Sequence, residues 1–174
     1  MVGEPLLGEQ PLRPRRCQDG TRGAAAGMLV DAVGRLLVVN PTYKFGWGLP
    51  GGVIEADESP LSACRRELRE ELGIEPALDG LAGVDWIPAR LDRGAATIFV
   101  FAGRIPDALV HRIRLPPEEL SAHLFAAPPR LGELLAAHIV RRMAACLAAR
   151  RAGRVAYLEF GREVLPSGRT AGSR

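Results

Sequence analysis

Long apolar runs, lysine and paired cysteines are what this sequence lacks. No apolar run reaches the roughly 18 residues that a membrane-spanning helix needs, so no such helix is expected. The opening stretch MVGEPLLGEQPLRPRRC carries acids and prolines where a signal peptide would have its apolar core. A cytoplasmic location is the expectation, and no membrane partner. Cysteine is confined to Cys17, Cys64 and Cys146, far apart and without metal-ligand spacing. Free thiols are expected, not a cysteine metal site. Lysine is nearly absent: Lys44 is one of 23 basic residues, and the other 22 are arginine. The net charge is +3, but the arginines are scattered and no helix-turn-helix or RNA-binding signature appears. No stable nucleic-acid partner is expected. No internal repeat is visible, and 174 residues with 47% hydrophobic content suit one domain with a sizeable core.

What is present is concentrated between Gly51 and Gly80, where eight acids and three arginines stand in a chain that is otherwise basic. Ser59 to Leu72 has no internal glycine, and its one proline is Pro60. Ser59 reads as the N-cap, Pro60 as the first helical residue and Gly73 as the stop. Leu61, Cys64, Leu68 and Leu72 share one apolar stripe. Glu67, Glu70 and Glu71 share the next stripe, because residues three and four apart are neighbours on a helix. Carboxylates held side by side repel. A divalent cation relieves that repulsion, and oxygen-only ligands suit Mg²⁺ or Mn²⁺. The alternative for these charges is a solvated face paired with Arg65, Arg66 and Arg69.

Immediately upstream runs Trp47-Gly48-Leu49-Pro50-Gly51-Gly52. Glycines permit close backbone approach to a ligand, and Gly51 and Gly52 are candidates to present N–H groups to phosphate oxygens. An ordinary turn is the competing meaning. Trp47 is the first candidate to stack on a base, with Tyr43, Phe45 and Trp86 behind it. Nothing in this segment is a convincing covalent nucleophile, since Cys64 lies on the apolar stripe. Glycine loop and carboxylate helix together describe a metal–diphosphate site, where water attacks phosphorus.

Gly52 to Ile74 reads GVIEADESPLSACRRELREELGI. It resembles the signature of the Nudix hydrolases, G-x5-E-x7-R-E-U-x-E-E-x-G-U with U aliphatic. Every specified position is filled, over 23 of the 174 residues. The looser likeness runs from about Thr21 to Arg151. The resemblance implies an α/β fold, an α/β/α sandwich around a mixed β-sheet. It also implies that Glu67, Glu70 and Glu71 bind the metals, that Arg66 orients a neighbouring glutamate and that Glu58 assists near the metal. The catalytic set is thus Glu67, Glu70, Arg66 and Glu58. The general base varies in the family between a box glutamate and an acid on a downstream loop, where Glu118 and Glu119 stand. Those two acids also suit the start of a helix after Pro116-Pro117.

The rest of the chain divides accordingly. Residues 1–20 read as an extended arm, 21–152 as the Nudix domain, and 153–174 as an extension with a strand and a tail. Strands are expected at Ala24 to Val30 and Arg35 to Asn40, at Leu81 to Ala89 and Ala95 to Arg104 around a turn at Leu91 to Gly94, and at Ala122 to Ala127. Pro116 to Ser121 reads as a short helix or turn. Leu131 to Arg151 reads as one helix ended by Gly153, with Leu134, Leu135, His138, Ile139, Arg142 and Met143 along one side. Val155 to Phe160 alternates like a strand, and a tail begins at Gly161. His111, His123 and His138 are isolated and show no metal-ligand pattern.

The expected substrate is a small nucleoside diphosphate derivative, with a slight lean toward ADP-ribose or a nucleotide sugar. A nucleoside-triphosphate sanitising enzyme is the alternative within the class. A non-catalytic nucleotide-binding module is the alternative outside it, although such modules usually lose box glutamates. A homodimer stays open.

Overall fold

The computed structural model describes residues 21–43, 45–90 and 94–164. The N-terminal arm with Cys17, most of the Leu91–Gly94 turn and the tail after Val164 lie outside the described residues.

Eight strands form one mixed sheet among the described residues. They are β1 (Arg22–Val30), β2 (Leu36–Pro41), β3 (Gly51–Val53), β4 (Leu78–Ile87), β5 (Ala96–Arg104), β6 (Leu120–Ala126), β7 (Ala156–Glu159) and β8 (Arg162–Glu163). The order is β6-β2-β1-β5-β4-β7-β8, with β3 paired to β1 off that path. β1 runs parallel to β5 and antiparallel to β2 and β3. β1 meets β2 only at its far end, Val30 opposite Leu36, so the two strands part. The chain after β2 fills the gap: Gly48 bridges Val39, the Gly27 N–H donates to the Pro50 carbonyl, and Gly51 and Gly52 pair with Ala26 and Ala25. The glycine segment read from sequence as a loop is therefore in part a strand of the sheet. A three-residue strand with two glycines carries no alternating pattern, which is why it reads as a loop.

Side chains alternate along the strands, so each sheet face has its own core. Ala25, Leu29, Leu37, Val39 and Phe101 pack with Cys64, Leu68 and Leu72 of α1 (Pro60–Leu72). Met28, Leu36, Val38, Val100 and Ala102 pack with Met143, Cys146 and Ala149 of the last helix. Helices on both faces make the α/β/α sandwich. The Ser59 hydroxyl accepts the Ser62 N–H at 3.1 Å, Pro60 opens α1, and Gly73 closes it at φ 66°. Trimming Leu68, which is fully buried, to alanine costs about 2–5 kcal/mol.

Elsewhere the structure departs from the sequence reading. A short helix, α2 (Asp107–Val110), was not anticipated. Leu131 to Arg151 is not one helix but two, α3 (Leu131–Leu134) after a 3₁₀ turn at Pro128–Arg130, and α4 (Ala137–Arg151). Leu135 between them is extended, at φ −103° and ψ 145°, and buried. Burying Leu135 takes the place of helix continuation; Gly132 stands inside α3, but no glycine or proline stands at the break itself. Gly161 does not begin a tail; it turns the chain into β8, which pairs back on β7. β7 runs parallel to β4 and extends the same sheet.

Candidate active site

Arg66 organises the exposed edge of α1. Its Nε and Nη2 donate to the two carboxylate oxygens of Glu58, each at 3.0 Å. Its Nη1 donates to Glu67 and to Glu70, each at 2.9 Å. Nη2 also donates to the Val53 carbonyl at 3.0 Å. These contacts use all five guanidinium N–H groups. The fork with Glu58 is the bidentate geometry that gives such pairs direction. One cation thus collects three carboxylates and ties α1 to the end of β3.

Glu71 stands apart from this cluster. It is buried, and its Oε2 accepts the Gly51 N–H at 2.7 Å. Gly51 has φ 138°, and a β-carbon there would lie 2.2 Å from the Ala25 carbonyl oxygen. Only glycine permits this pairing with β1. At Gly52 the limit is different: a β-carbon would stand 2.4 Å from Glu67 Oε1. The Glu67 carboxylate occupies the space that the missing side chain leaves. Gly51 and Gly52 thus face box glutamates, one by hydrogen bond and one by packing.

Electrostatics separate the acids. Burial pushes the Glu67 carboxyl above the usual range, Arg66 pulls against that, and the negative charges of Glu70 and Glu119 push further. The Arg66 fork holds Glu58 below the usual range. The Glu70 side chain is 55% exposed, against 15% for Glu67. Glu119 sits in the turn before β6, whose backbone accepts the Thr42 N–H at 2.9 Å. Tyr43, beside that turn, is exposed as a residue, but partial desolvation of its hydroxyl and the charges of Glu71, Glu119 and Glu67 raise its pKa. Glu119 and Tyr43 are therefore neighbours of the box acids, across loops that sequence distance hides. For Glu118 the structure gives a backbone role, its carbonyl accepting the Thr42 hydroxyl at 2.6 Å.

Among the described residues, no group of three His, Cys, Asp or Glu side chains stands at metal-binding separation. The reason is visible: Arg66 holds Glu67 and Glu70, while Glu71 is turned to Gly51. The donor set still suits a hard divalent cation. Its donors are carboxylate oxygens from one helix edge, and Glu67 is held desolvated amid like charge.

Other residues singled out from sequence lie as follows. Trp47 is half-buried against the core on the α4 face. Tyr43 and Phe45 are exposed and line a groove of about 520 Å³ with Thr42 and Ser121. Trp86 is on β4, two strands from β1 in the sheet order. Cys64 and Cys146 are buried, which pushes each thiol up to about 12 and leaves neither a thiolate nucleophile. His123 packs edge-on to Phe125, and burial lowers its pKa. His138 stacks on Phe160 with ring centres 4.8 Å apart. Sequence reasoning missed the partner of Arg142: Asp85, buried on β4, accepts its Nε at 2.6 Å. A charged residue on an otherwise apolar helix stripe was the available signal.

Fold and site together define an α/β/α sandwich with an Arg-organised glutamate edge on its first helix. The NUDIX domain family model matches residues 20–145, and the chain belongs to the Nudix hydrolase family. A MutT-like protein of Streptomyces ambofaciens is 44% identical over 61 residues, 35% of this chain and 40% of that protein. An RNA pyrophosphohydrolase of Halorhodospira halophila is 38% identical over 77 residues, 43% of this chain and 42% of that protein. An ADP-ribose pyrophosphatase of Methanocaldococcus jannaschii is 33% identical over 76 residues, 42% of this chain and 45% of that protein. The chain spans less than half the length of these curated relatives. The fold matches that of a MutT protein from Methanosarcina mazei, with TM-score 0.63 at 22% identity, over 78% of this chain and 97% of that one. It also matches a UDP-X diphosphatase, with TM-score 0.65 at 19% identity, over 84% of this chain and 71% of that one. No helix among the described residues is long and apolar enough to cross a membrane.

Proposed function

We propose that this chain hydrolyses a diphosphate linkage in a nucleoside diphosphate joined to another group, with ADP-ribose or a nucleotide sugar as the first class to test. The observation that carries the reading is the Arg66 cluster. One guanidinium aligns Glu58, Glu67 and Glu70 beside a glycine strand that also fixes Glu71.

Nudix hydrolases generally use divalent metals. Glu67, Glu70 and Glu71 are the residues that would hold Mg²⁺ or Mn²⁺ here. When bound, such ions neutralise phosphate charge and lower the pKa of water. The chain's own part is positioning and proton transfer. Glu58 fixes the plane of Arg66, and Arg66 sets the orientation of Glu67 and Glu70. Glu119 is the acid outside the helix that senses Glu67, and it is a candidate proton acceptor. The reading includes a cytoplasmic location, leaves a second copy of the chain open as partner, and rests for both on the sequence.

Relatives named RNA pyrophosphohydrolase and MutT-like favour a second reading, attack on a 5′-triphosphate. A panel of ADP-ribose, UDP- and GDP-sugars, nucleoside triphosphates and 5′-triphosphorylated RNA decides between them. Products are followed with Mg²⁺, with EDTA, and with Mg²⁺ restored. Turnover that disappears in EDTA and returns with Mg²⁺ is expected. Full turnover in chelator overturns the metal's role, and nucleotide binding without any turnover points to a binding module.

A further inference from the structure

The layer opposite the glutamate edge is rich in arginine, and the site described above uses none of it. α4 holds Arg141, Arg142, Arg150 and Arg151 and no acid. At its last turn a cavity of about 480 Å³ opens between α4, the turn at Asp31 to Gly34 and the end of β5. Arg104, Arg150 and Arg151 line it, and Asp31 is the one acid in its wall. That volume lies within the roughly 300–1,000 Å³ of small-molecule sites.

The charges of this wall do not cancel. Asp31 is buried and already spent. It accepts the Val33 N–H at 3.1 Å, the Arg35 N–H at 2.7 Å and the Arg35 Nε at 2.6 Å. Arg150 is paired with Asp79. Arg104 and Arg151 are exposed, and neither forms an ion pair among the described residues. Cations at a helix C-terminus are ordinary, because they offset the carbonyl end of the helix dipole. That accounts for Arg150 and Arg151 but not for Arg104, which enters from β5, opposite Val30 in the register. Strand and helix thus bring two unpaired guanidinium groups to one concave wall. Each offers a rigid set of N–H donors, which suits an anion with several acceptor oxygens. The remaining wall is apolar, with Val30, Val33, Pro128 and Leu147. Val33 is 76% exposed, so the fold itself leaves this surface uncovered. A bare inorganic anion would leave it wet, whereas a phosphate monoester brings oxygens for the arginines and a carbon body for Val33 and Leu147.

We propose that this cavity is a second binding site, separate from the glutamate edge, for a phosphate monoester with a compact ring or carbon body. Arg104 and Arg151 hold the phosphate, and Val33 and Leu147 pack against the body. The proposal does not rest on the hydrolase reading, because no residue of the glutamate edge lines the cavity. Such monoesters have two sources, the cleavage of a diphosphate by this chain and reactions elsewhere, and the test separates them.

The test uses the full chain in EDTA, so that no metal at the glutamate edge attracts phosphate. Inorganic phosphate, phenyl phosphate, AMP and ribose 5-phosphate are titrated by calorimetry at fixed ionic strength, and melting is recorded on the same preparations. Arg104→Gln and Arg151→Gln each remove a cation without breaking an ion pair. Val33→Asp puts a negative charge on the apolar wall. Arg112→Gln removes an exposed cation outside the cavity. Phenyl phosphate should bind at least about fivefold more tightly than inorganic phosphate, through the apolar area it covers. Arg104→Gln, Arg151→Gln and Val33→Asp should each weaken it at least about tenfold with parental melting, the range of a lost charged hydrogen bond. Arg112→Gln should bind like the parent. AMP or ribose 5-phosphate bound more tightly than phenyl phosphate assigns the site to products of diphosphate cleavage, and weaker binding of both assigns it to a monoester from another source. No binding at millimolar concentration, inorganic phosphate bound as tightly as its phenyl ester, parental binding in both arginine variants, or an equal loss in Arg112→Gln overturns the proposal.

Discussion

Arg66 and Arg142 are the same side chain put to opposite uses. Arg66 stands at the edge of α1 with every donor engaged and three carboxylates around it. Its cluster is satisfied in hydrogen bonds but left with excess negative charge. Arg142 lies in the interior with one carboxylate, so its charge is matched, but a donor is left over. The first centre is short of positive charge and the second is short of one hydrogen-bond acceptor. Counting charge alone would rank the pair at Arg142 as complete, and counting hydrogen bonds alone would rank Arg66 as complete. Each needs both counts.

Truncation separates the two centres most strongly. Arg142→Ala leaves the Asp85 side chain at 0% exposure with only the Gly161 N–H as partner, and breaking a buried pair this way costs about 3–5 kcal/mol. Arg66→Ala should cost clearly less stability, because the Glu70 side chain is 55% exposed and keeps its water. Urea unfolding of both variants checks this. An Arg142→Ala protein that loses less than Arg66→Ala would show the buried pair to be dispensable to the fold.

The next effect is catalytic. Glu67→Gln and Glu71→Gln should each lower kcat by about a hundredfold or more, the range of a lost charge interaction in a transition state. Neither should unfold the chain, since Gln can still accept from Arg66 or from Gly51. Turnover of the best panel substrate with Mg²⁺, beside thermal melting, is the measurement. Near-parental turnover in both would remove the glutamate edge from the chemistry.

Much of this edge was legible in the sequence, because a capped helix with regular spacing predicts which side chains are neighbours. Ser59, Pro60 and Gly73 mark the ends of α1 by backbone chemistry that acts locally. The parts that did not show are those set by distant contacts. Strand β3 forms because β1 is there to pair with it, not because Gly51–Val53 favours extension. Leu135 breaks the expected long helix in order to bury itself, and no local residue signals that. Arg142 read as one more member of a helix stripe, because its partner Asp85 lies 57 residues away. Glu119 and Tyr43 approach the box acids only through the meeting of two loops.

The two site glycines divide stability from function in a smaller experiment. At Gly51 an added β-carbon meets the Ala25 backbone oxygen at 2.2 Å, and φ is 138°. Backbone cannot yield cheaply, so Gly51→Ala should destabilise by at least about 1–3 kcal/mol. At Gly52 the obstacle is the Glu67 carboxylate, the far end of a flexible chain. Gly52→Ala should therefore melt close to the parent while displacing Glu67 and reducing kcat. Calorimetric melting and turnover of the pair give the contrast. A Gly52→Ala protein with parental kcat would mean that the resting place of Glu67 is not its working position.

The smallest expected effect concerns the two ends of the Arg66 cluster, where the acids should respond to pH with opposite signs. Glu58 is held below the usual range by the Arg66 fork. Its stabilising contribution is present above its unfolded pKa and is lost as pH falls through the folded value. Glu67 is raised, chiefly by burial. Its favourable protonated contribution is full below the unfolded pKa and is lost as pH rises through the folded value, so at neutral pH the ionised side chain weakens the metal-free fold. Glu58→Gln should then melt below the parent at pH 7, and Glu67→Gln slightly above it, both measured in EDTA. Both differences should close in acid, as the parent's own carboxyls take up protons. Saturating Mg²⁺ should reverse the second result, because an ion held by Glu67 stabilises the parent and is bound less well by the variant. If Glu67→Gln melts below the parent at pH 7 without metal, Arg66 outweighs burial at Glu67, and the whole cluster is a structural clamp before it is a metal site.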